Sequence, residues 1–298
     1  MYCAEFGMGI CYSVNSKWKE NLMQENTTQN TEVINNIINT IKDIKITPKN
    51  IVSLIETHII PNATKIKGVC INREEFLKRE LSLYINDASV IDLAIENNPA
   101  YAGISKEIID KIANSVINKE TNTTTGISFV TGLPGGITMA LAIPADFVQN
   151  TCFAIRLAQE LAYLYGFDEF NFNNCNSELN NKIMIFLATM YGVDLADKAL
   201  KEIAKSVSVK VAKQLTKAPL TKGILYPMIK QICKVIGIKI SKQIFARSVS
   251  KVVPVIGGVV SGAITYITFK PMSERLKDYL EELDICNPEF YENNKIEI

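Results

Sequence analysis

The chain reads as an all-α protein, a multi-helix bundle with two apolar segments broken by glycine and proline. Three observations predict this class. Apolar residues recur at three- and four-residue spacing along most of the 298 residues, the repeat of one face of a helix. Asn, Asp, Ser and Thr open many of these stretches, and Gly or Pro closes them, as helix boundaries require. No stretch sustains the two-residue alternation of a half-buried strand.

Residues 1–30 are polar and irregular, and are expected to form a flexible arm. A helical pair is expected over 31–68. Its first helix carries Val33, Ile34, Ile37, Ile38, Ile41 and Ile44 on one face. Thr47 and Pro48 read as N-cap and first position of the second, where the missing proline N–H costs nothing. Ile51, Val52, Ile55 and Ile59 continue that helix up to Pro61. Asn72-Arg-Glu-Glu75 resembles a capping box and opens a helix through Tyr84. A shorter helix spans Ala88 to Glu96. Ser105 caps the next, with Ile108, Ile109, Ile112, Val116 and Ile117 along its face. Thr121-Asn-Thr-Thr-Thr-Gly126 reads as a loop.

After Pro144 a helix from about Asp146 to Tyr165 ends at Gly166, where a residue without Cβ turns the chain most easily. Tyr165-Gly-Phe-Asp168 and Tyr191-Gly-Val-Asp194 each place glycine past a helix end and Asp where the next helix can be capped. From Asp194 to Ser250 the chain is mostly helical, interrupted near Pro219–Gly223 and Tyr226-Pro227. Ser273 reads as the cap of a last helix bearing Leu276, Tyr279, Leu280 and Leu283, followed by an acidic tail over 286–298.

The two broken apolar segments run from Gly126 to Pro144 and from Val252 to Phe269. Gly132 and Gly136 stand four apart, as do Gly258 and Gly262, a spacing that lets helix backbones approach closely. Pro134 cuts the first segment, and the second is near the lower length limit for crossing a bilayer. A re-entrant or interfacial hairpin fits better than a full span, because irregular backbone in lipid must be sheltered by protein. Glycine-rich packing inside a soluble bundle fits equally.

Charge is nearly balanced at 32 Lys and Arg against 31 Asp and Glu, but it is unevenly distributed. Lys198–Lys251 holds thirteen basic residues against the single acid Glu202. Such a stretch suits an anionic leaflet, at about 1 kcal/mol per well-placed basic residue. Lys205, Lys210, Lys213, Lys217, Lys230, Lys234, Lys239 and Lys242 are the docking candidates. A plain solvated helix face has the same composition. Nucleic acid is not expected as a partner, because only Tyr226 and Phe245 interleave aromatic rings with the basic residues.

No catalytic residue, metal site or cofactor is expected. His58 is the only histidine and lies on an amphipathic helix with no nucleophile context around it. Gly132-Leu-Pro-Gly-Gly136 lacks the Gly-Lys-Ser/Thr that completes a phosphate loop. The seven cysteines are scattered without a Cys-x-x-Cys pair, as expected of reduced thiols in a cytosolic protein. The N-terminal sequence shows no basic stretch followed by an apolar one, so no secretory signal is expected.

The helix after Pro144 carries Asp146, Gln149, Arg156, Gln159 and Glu160 among Ala, Leu and Phe. Arg156 and Glu160 are four apart and can pair. Such groups form either a polar notch that binds a ligand or an ion pair that orients helices, since an unpaired buried charge is costly.

Thr131-Gly-Leu-Pro-Gly-Gly136, Ile143-Pro-Ala-Asp146, Ala154-Ile-Arg156 and Ala162-Tyr-Leu-Tyr-Gly-Phe-Asp168, with the later Val253-Pro-Val-Ile-Gly-Gly-Val-Val-Ser-Gly262, resemble the EcsC protein family. The likeness covers roughly residues 72–285. It implies a membrane-associated protein, since the namesake is encoded beside an ABC-type transporter in Gram-positive bacteria. It carries over no catalytic residue. Gly132, Pro134, Gly135, Gly136, Asp146, Arg156, Glu160, Pro254, Gly257 and Gly258 are the candidates for holding lipid or a lipid-like ligand.

The expected protein is therefore non-enzymatic and peripheral on the cytoplasmic face of the cell membrane. Its partners are anionic lipid or a lipid-like ligand, with a transporter or other protein beside it. A soluble small-molecule-binding protein or enzyme with a buried polar notch stands as one alternative, and a protein-interaction module as the other.

Overall fold

The computed structural model describes residues 32–41, 43–44, 47, 50–131, 139–211, 230–242 and 257–293. The fold is all-α, and no strand occurs among the described residues.

Helix α1 covers 32–41 and sets Ile37, Ile38 and Ile41 into the core. Helix α2 (Ile51–Leu54) runs on through a π turn (Ile55–Ile59) and a 3-10 turn (Ile60–Lys65). The helical path therefore passes Pro61, where the sequence predicted its end. Pro61 cannot donate to the preceding turn. The side chain of Asn62 supplies a donor there, reaching the His58 carbonyl at 2.7 Å. Ile51, Ile55, Ile59 and Ile60 are fully buried in the same core cluster as α6, so the 31–68 pair is built into the bundle.

Helix α3 (Arg73–Leu81) starts as predicted, with the Asn72 side chain accepting the Glu75 N–H at 2.8 Å. It ends one turn short of the expected Tyr84. Helix α4 (Ala88–Glu96) is capped by Asp87. Helix α5 (Lys106–Thr131) runs straight through the threonine-rich stretch predicted as a loop. Thr123 and Thr124 donate their hydroxyls to the Lys119 and Glu120 carbonyls at 2.8 and 2.7 Å. The hydroxyls are thus absorbed within the helix. Packing against α6 and α10 outweighs the weak propensity of threonine.

Helix α6 (Met139–Leu164) begins seven residues before the predicted Asp146 and contains Pro144. That proline removes one bond near the helix start, and the surrounding apolar run continues regardless. Its C-terminal end is as predicted: Gly166 takes φ +90°, and the Phe167 N–H reaches back to the Ala162 carbonyl at 2.9 Å. Gly192 repeats this arrangement at φ +65°, with Val193 bonded to the Ala188 carbonyl. A Cβ at Gly166 would lie 3.3 Å from both Asn98 Cγ and the Ile285 carbonyl oxygen. Gly166→Ala is expected to destabilise the fold by about 1–2 kcal/mol from the left-handed conformation alone, read as a lower denaturation midpoint.

Asp168 caps no helix. Helix α7 (Ser177–Met190) instead uses Asn176, which accepts from the Leu179 N–H at 2.9 Å. Helix α8 covers Asp194–Val211, and α9 covers 230–242. Helix α10 (Gly257–Glu281) is continuous where a new start was predicted at Ser273. Ser273 is fully buried, and its hydroxyl donates to the Phe269 carbonyl at 2.8 Å, one turn back. Pro271 lies inside this helix. It is exposed, as is Ile267, the residue whose carbonyl it strands. The break in bonding thus falls on the solvent side, where water can take the carbonyl.

A 3-10 turn (Asp284–Cys286) and helix α11 (Pro288–Asn293) close the chain. The first part of the expected acidic tail therefore folds back onto the bundle. Tyr291 is buried, donates to the Ile285 carbonyl at 3.1 Å and accepts from Asn98 Nδ2 at 2.8 Å. No helix among the described residues is long and apolar enough to cross a membrane.

Candidate functional site

Two features stand out: a charged cluster buried between α5 and α6, and a basic helix face on α9. The cluster is built on the side of α6 that faces the turn at 66–71. Arg156, Gln159 and Tyr163 follow one another at three- and four-residue steps and share that side. Gln159 acts as a backbone mimic. It accepts the Ile71 N–H at 3.0 Å and donates to the Val69 carbonyl at 2.8 Å. The Tyr163 hydroxyl donates to the Ile71 carbonyl at 3.3 Å and accepts from Phe170 N–H at 3.1 Å.

Arg156 joins three parts of the chain. Its Nη2 donates to Glu160 Oε1 at 2.9 Å, the predicted pairing along α6. Its Nε lies 3.0 Å from Glu120 Oε2 on α5. Its Nη1 donates to the Gly68 carbonyl. Each guanidinium nitrogen thus has a protein partner. The Glu160 and Glu120 side chains are 1% and 4% exposed, so two carboxylates share one guanidinium out of water. Glu160 Oε2 and the Thr121 hydroxyl oxygen have no hydrogen-bond partner. Burial, then the neighbouring Glu120 charge, pushes the Glu160 carboxyl up to about 8, against the opposing pull of Arg156.

Glu120 was not singled out from the sequence, although a signal for it exists. Ile109, Ile112, Ala113, Val116 and Ile117 form a buried stripe, and Glu120, Thr121 and Thr124 continue it at the same spacing. Reading 121–126 as a loop ended that stripe at Glu120, which then passed for a frayed helix end. Arg73 was also missed. It donates to the Phe167 carbonyl at 3.1 Å and to the Asn97 carbonyl at 2.8 Å, tying α3 to the ends of α4 and α6. Its partners lie 94 and 24 residues away, so no local pattern announces it.

The remaining notch and segment candidates separate. Asp146 is in α6, and Gly257 and Gly258 open α10, by backbone. Gly132, Pro134, Gly135, Gly136 and Pro254 lie outside the described residues.

The basic face is built by α9, whose 13 residues hold four lysines and no acid. Ile232, Ile236 and Ile240 are buried, four residues apart, and seat the helix on the core. Lys230, Lys234, Ile238 and Lys242 follow the same four-residue step and are exposed. Lys239 does different work: it is half-buried and donates to the Tyr191 carbonyl at 2.9 Å and to the Gly192 carbonyl. With Arg275, which donates to the Met190 carbonyl at 2.7 Å, it satisfies the C-terminal end of α7. Lys205 is exposed on α8 and pairs with Glu202 at 2.7 Å. Lys210 is in α8 by backbone, and Lys213 and Lys217 lie outside the described residues.

The thiols at Cys70 and Cys152 are pushed up to about 12, chiefly by burial, and so stay protonated. No three His, Cys, Asp or Glu side chains among the described residues form a metal-holding group. Compared with family models, with curated proteins and with solved structures, the chain matches none.

Proposed function

We propose that this is a non-enzymatic, peripheral helical protein that docks on an anionic membrane surface, at the inner face of the cell membrane. The observation that carries this reading is the outward face of α9. Lysines at 230, 234 and 242 flank the exposed Ile238, and the helix contains no acid. The charges supply attraction to anionic headgroups, and the isoleucine supplies a shallow apolar contact. The buried side of the same helix fixes it to the bundle, so the lysines are presented on a rigid support. The resemblance to the EcsC family, including a role accessory to a transporter, belongs to the same proposal.

Flotation with neutral and anionic liposomes tests it. Binding is expected only with anionic vesicles, and it should weaken as salt shortens the screening length from about 10 Å at 0.1 M to about 3 Å at 1 M. Flotation that resists high salt would shift the contact to the glycine-broken apolar segments. Absence of flotation under all conditions would sink the membrane reading in favour of a soluble ligand or protein partner.

A further inference from the structure

We propose that the Arg156 cluster is a proton-binding site, in which Glu160 holds a proton at neutral pH and its release loosens the joint between α5, α6 and the 66–71 turn. The geometry carries the inference. Nε and Nη2 form one edge of the guanidinium, the edge that a single carboxylate usually fills with both oxygens. Here two carboxylates divide it, Glu120 at Nε and Glu160 at Nη2, at 3.0 and 2.9 Å. The third nitrogen is committed to the Gly68 carbonyl. With both acids ionised the cluster carries two negative charges against one positive, almost wholly buried. Glu160 Oε2, the oxygen turned away from Arg156, also lacks a donor. A single proton answers both problems: it makes the cluster neutral and turns an orphan acceptor into an O–H donor.

Few other charges act on Glu160. On α5 these are Glu120 and Lys119, on α6 Arg156, and on α3 Arg79. Arg79 is 52% exposed and already paired with Glu80 at 2.8 Å, and Lys119 is exposed. Both are screened by water far more than the buried trio. The direction of the Glu160 shift agrees: burial and Glu120 favour the neutral acid more than Arg156 opposes it.

The linkage has a definite sign. A carboxyl whose native pKa lies above its unfolded value binds its proton more tightly when folded. Its stabilisation is therefore fully present below the ordinary value of 4.5 and is lost as pH rises toward about 8. Once ionised, Glu160 competes with Glu120 for Arg156, whose remaining contact is the Gly68 carbonyl. The turn that carries Val69 and Ile71 should then be held less firmly.

The test is a carboxyl-carbon NMR titration of the full chain labelled at glutamate, with melting curves between about pH 6 and about pH 9. The expected result is one glutamate signal that titrates well above the others and is absent from Glu160→Gln. The wild-type melting temperature should fall across this range, and Glu160→Gln should flatten that fall. Glu120→Gln should move the titration to lower pH by removing the neighbouring charge. Hydrogen-exchange protection of the Ile71 amide, which donates to Gln159, should decline with the same midpoint in wild type. If no glutamate titrates above the ordinary range, the inference is overturned, and the wild-type spectrum decides this even if Glu160→Gln fails to fold. It is equally overturned if Glu120→Gln leaves the anomalous titration in place.

Discussion

Arg156→Ala is expected to destabilise the protein by about 3 kcal/mol near neutral pH, the lower end of what breaking a buried ion pair costs. The lower end applies because the arginine side chain is 21% exposed, so water reaches one side of it. The loss has two parts. The Gly68 carbonyl loses its donor. The Glu120 charge stays buried with no opposite charge beside it, and Glu160 Oε1 loses its donor; leaving such groups unpaired costs more than the pairing itself contributes. Arg156→Lys should recover only part of the loss, because a point charge cannot serve two carboxylates and a carbonyl in three directions at once. Replacing the whole cluster with neutral groups, Arg156→Met with Glu120→Gln and Glu160→Gln, should recover most of it, since no charge is then left behind. Urea denaturation midpoints at constant slope measure all three. Unchanged stability in Arg156→Ala, together with loss of a co-purifying small molecule, would instead make the cluster a ligand site.

Such a cluster shows why part of this protein was legible in its sequence and part was not. The all-α class was legible because the apolar period and the caps at Asn72 and Gly166 act over a few residues, and the structure keeps both caps. The pairing of Arg156 with Glu160 was legible for the same reason, since a four-residue step on one helix fixes it. Four boundaries were misread at or beside residues that usually break helices: Pro61, the threonine run of 121–126, Pro144, after which α6 was expected to begin, and Ser273, two residues past Pro271. At the threonine run and at Pro271 a tertiary fact overrides local preference, and at Pro61 a bond four residues back does. Asn62 donates to the His58 carbonyl, packing holds Thr121 and Thr124 in the core, and Pro271 faces solvent. The burial of the threonines and the exposure of Pro271 cannot be read from neighbours in sequence, whereas the Asn62 bond spans only four residues.

The candidate site follows the same rule. Glu120 comes to Arg156 from another helix, and Gly68 from a turn 88 residues away. Lys239 counted as one more basic residue until its carbonyl partners at Tyr191 and Gly192 showed that it faces inward. The lysines around it were correctly sorted only by the burial of Ile232, Ile236 and Ile240, which fixes the rotation of the helix.

That rotation leads to the second large effect. Reversing Lys230, Lys234 and Lys242 together to glutamate is expected to weaken binding to anionic vesicles by at least about 100-fold. Each lysine near a charged leaflet contributes about 1 kcal/mol, and 1.4 kcal/mol is a factor of ten. Removing three such contributions alone gives about that ratio, and the new negative charges add repulsion. All three positions are exposed, so the circular dichroism signal and the melting temperature should change little. Lys239→Glu should behave in the opposite way. It places an acid beside the Tyr191 and Gly192 carbonyls, at a helix end that already carries partial negative charge. It should therefore lower the melting temperature more than it lowers vesicle binding. Ile238→Ser should leave the salt-sensitive part of binding intact and remove any part that survives high salt. Equal losses of binding from the triple reversal and from Lys239→Glu would mean that net charge, and not the outward face of α9, governs docking. Unchanged binding in the triple reversal would rule this face out as the contact.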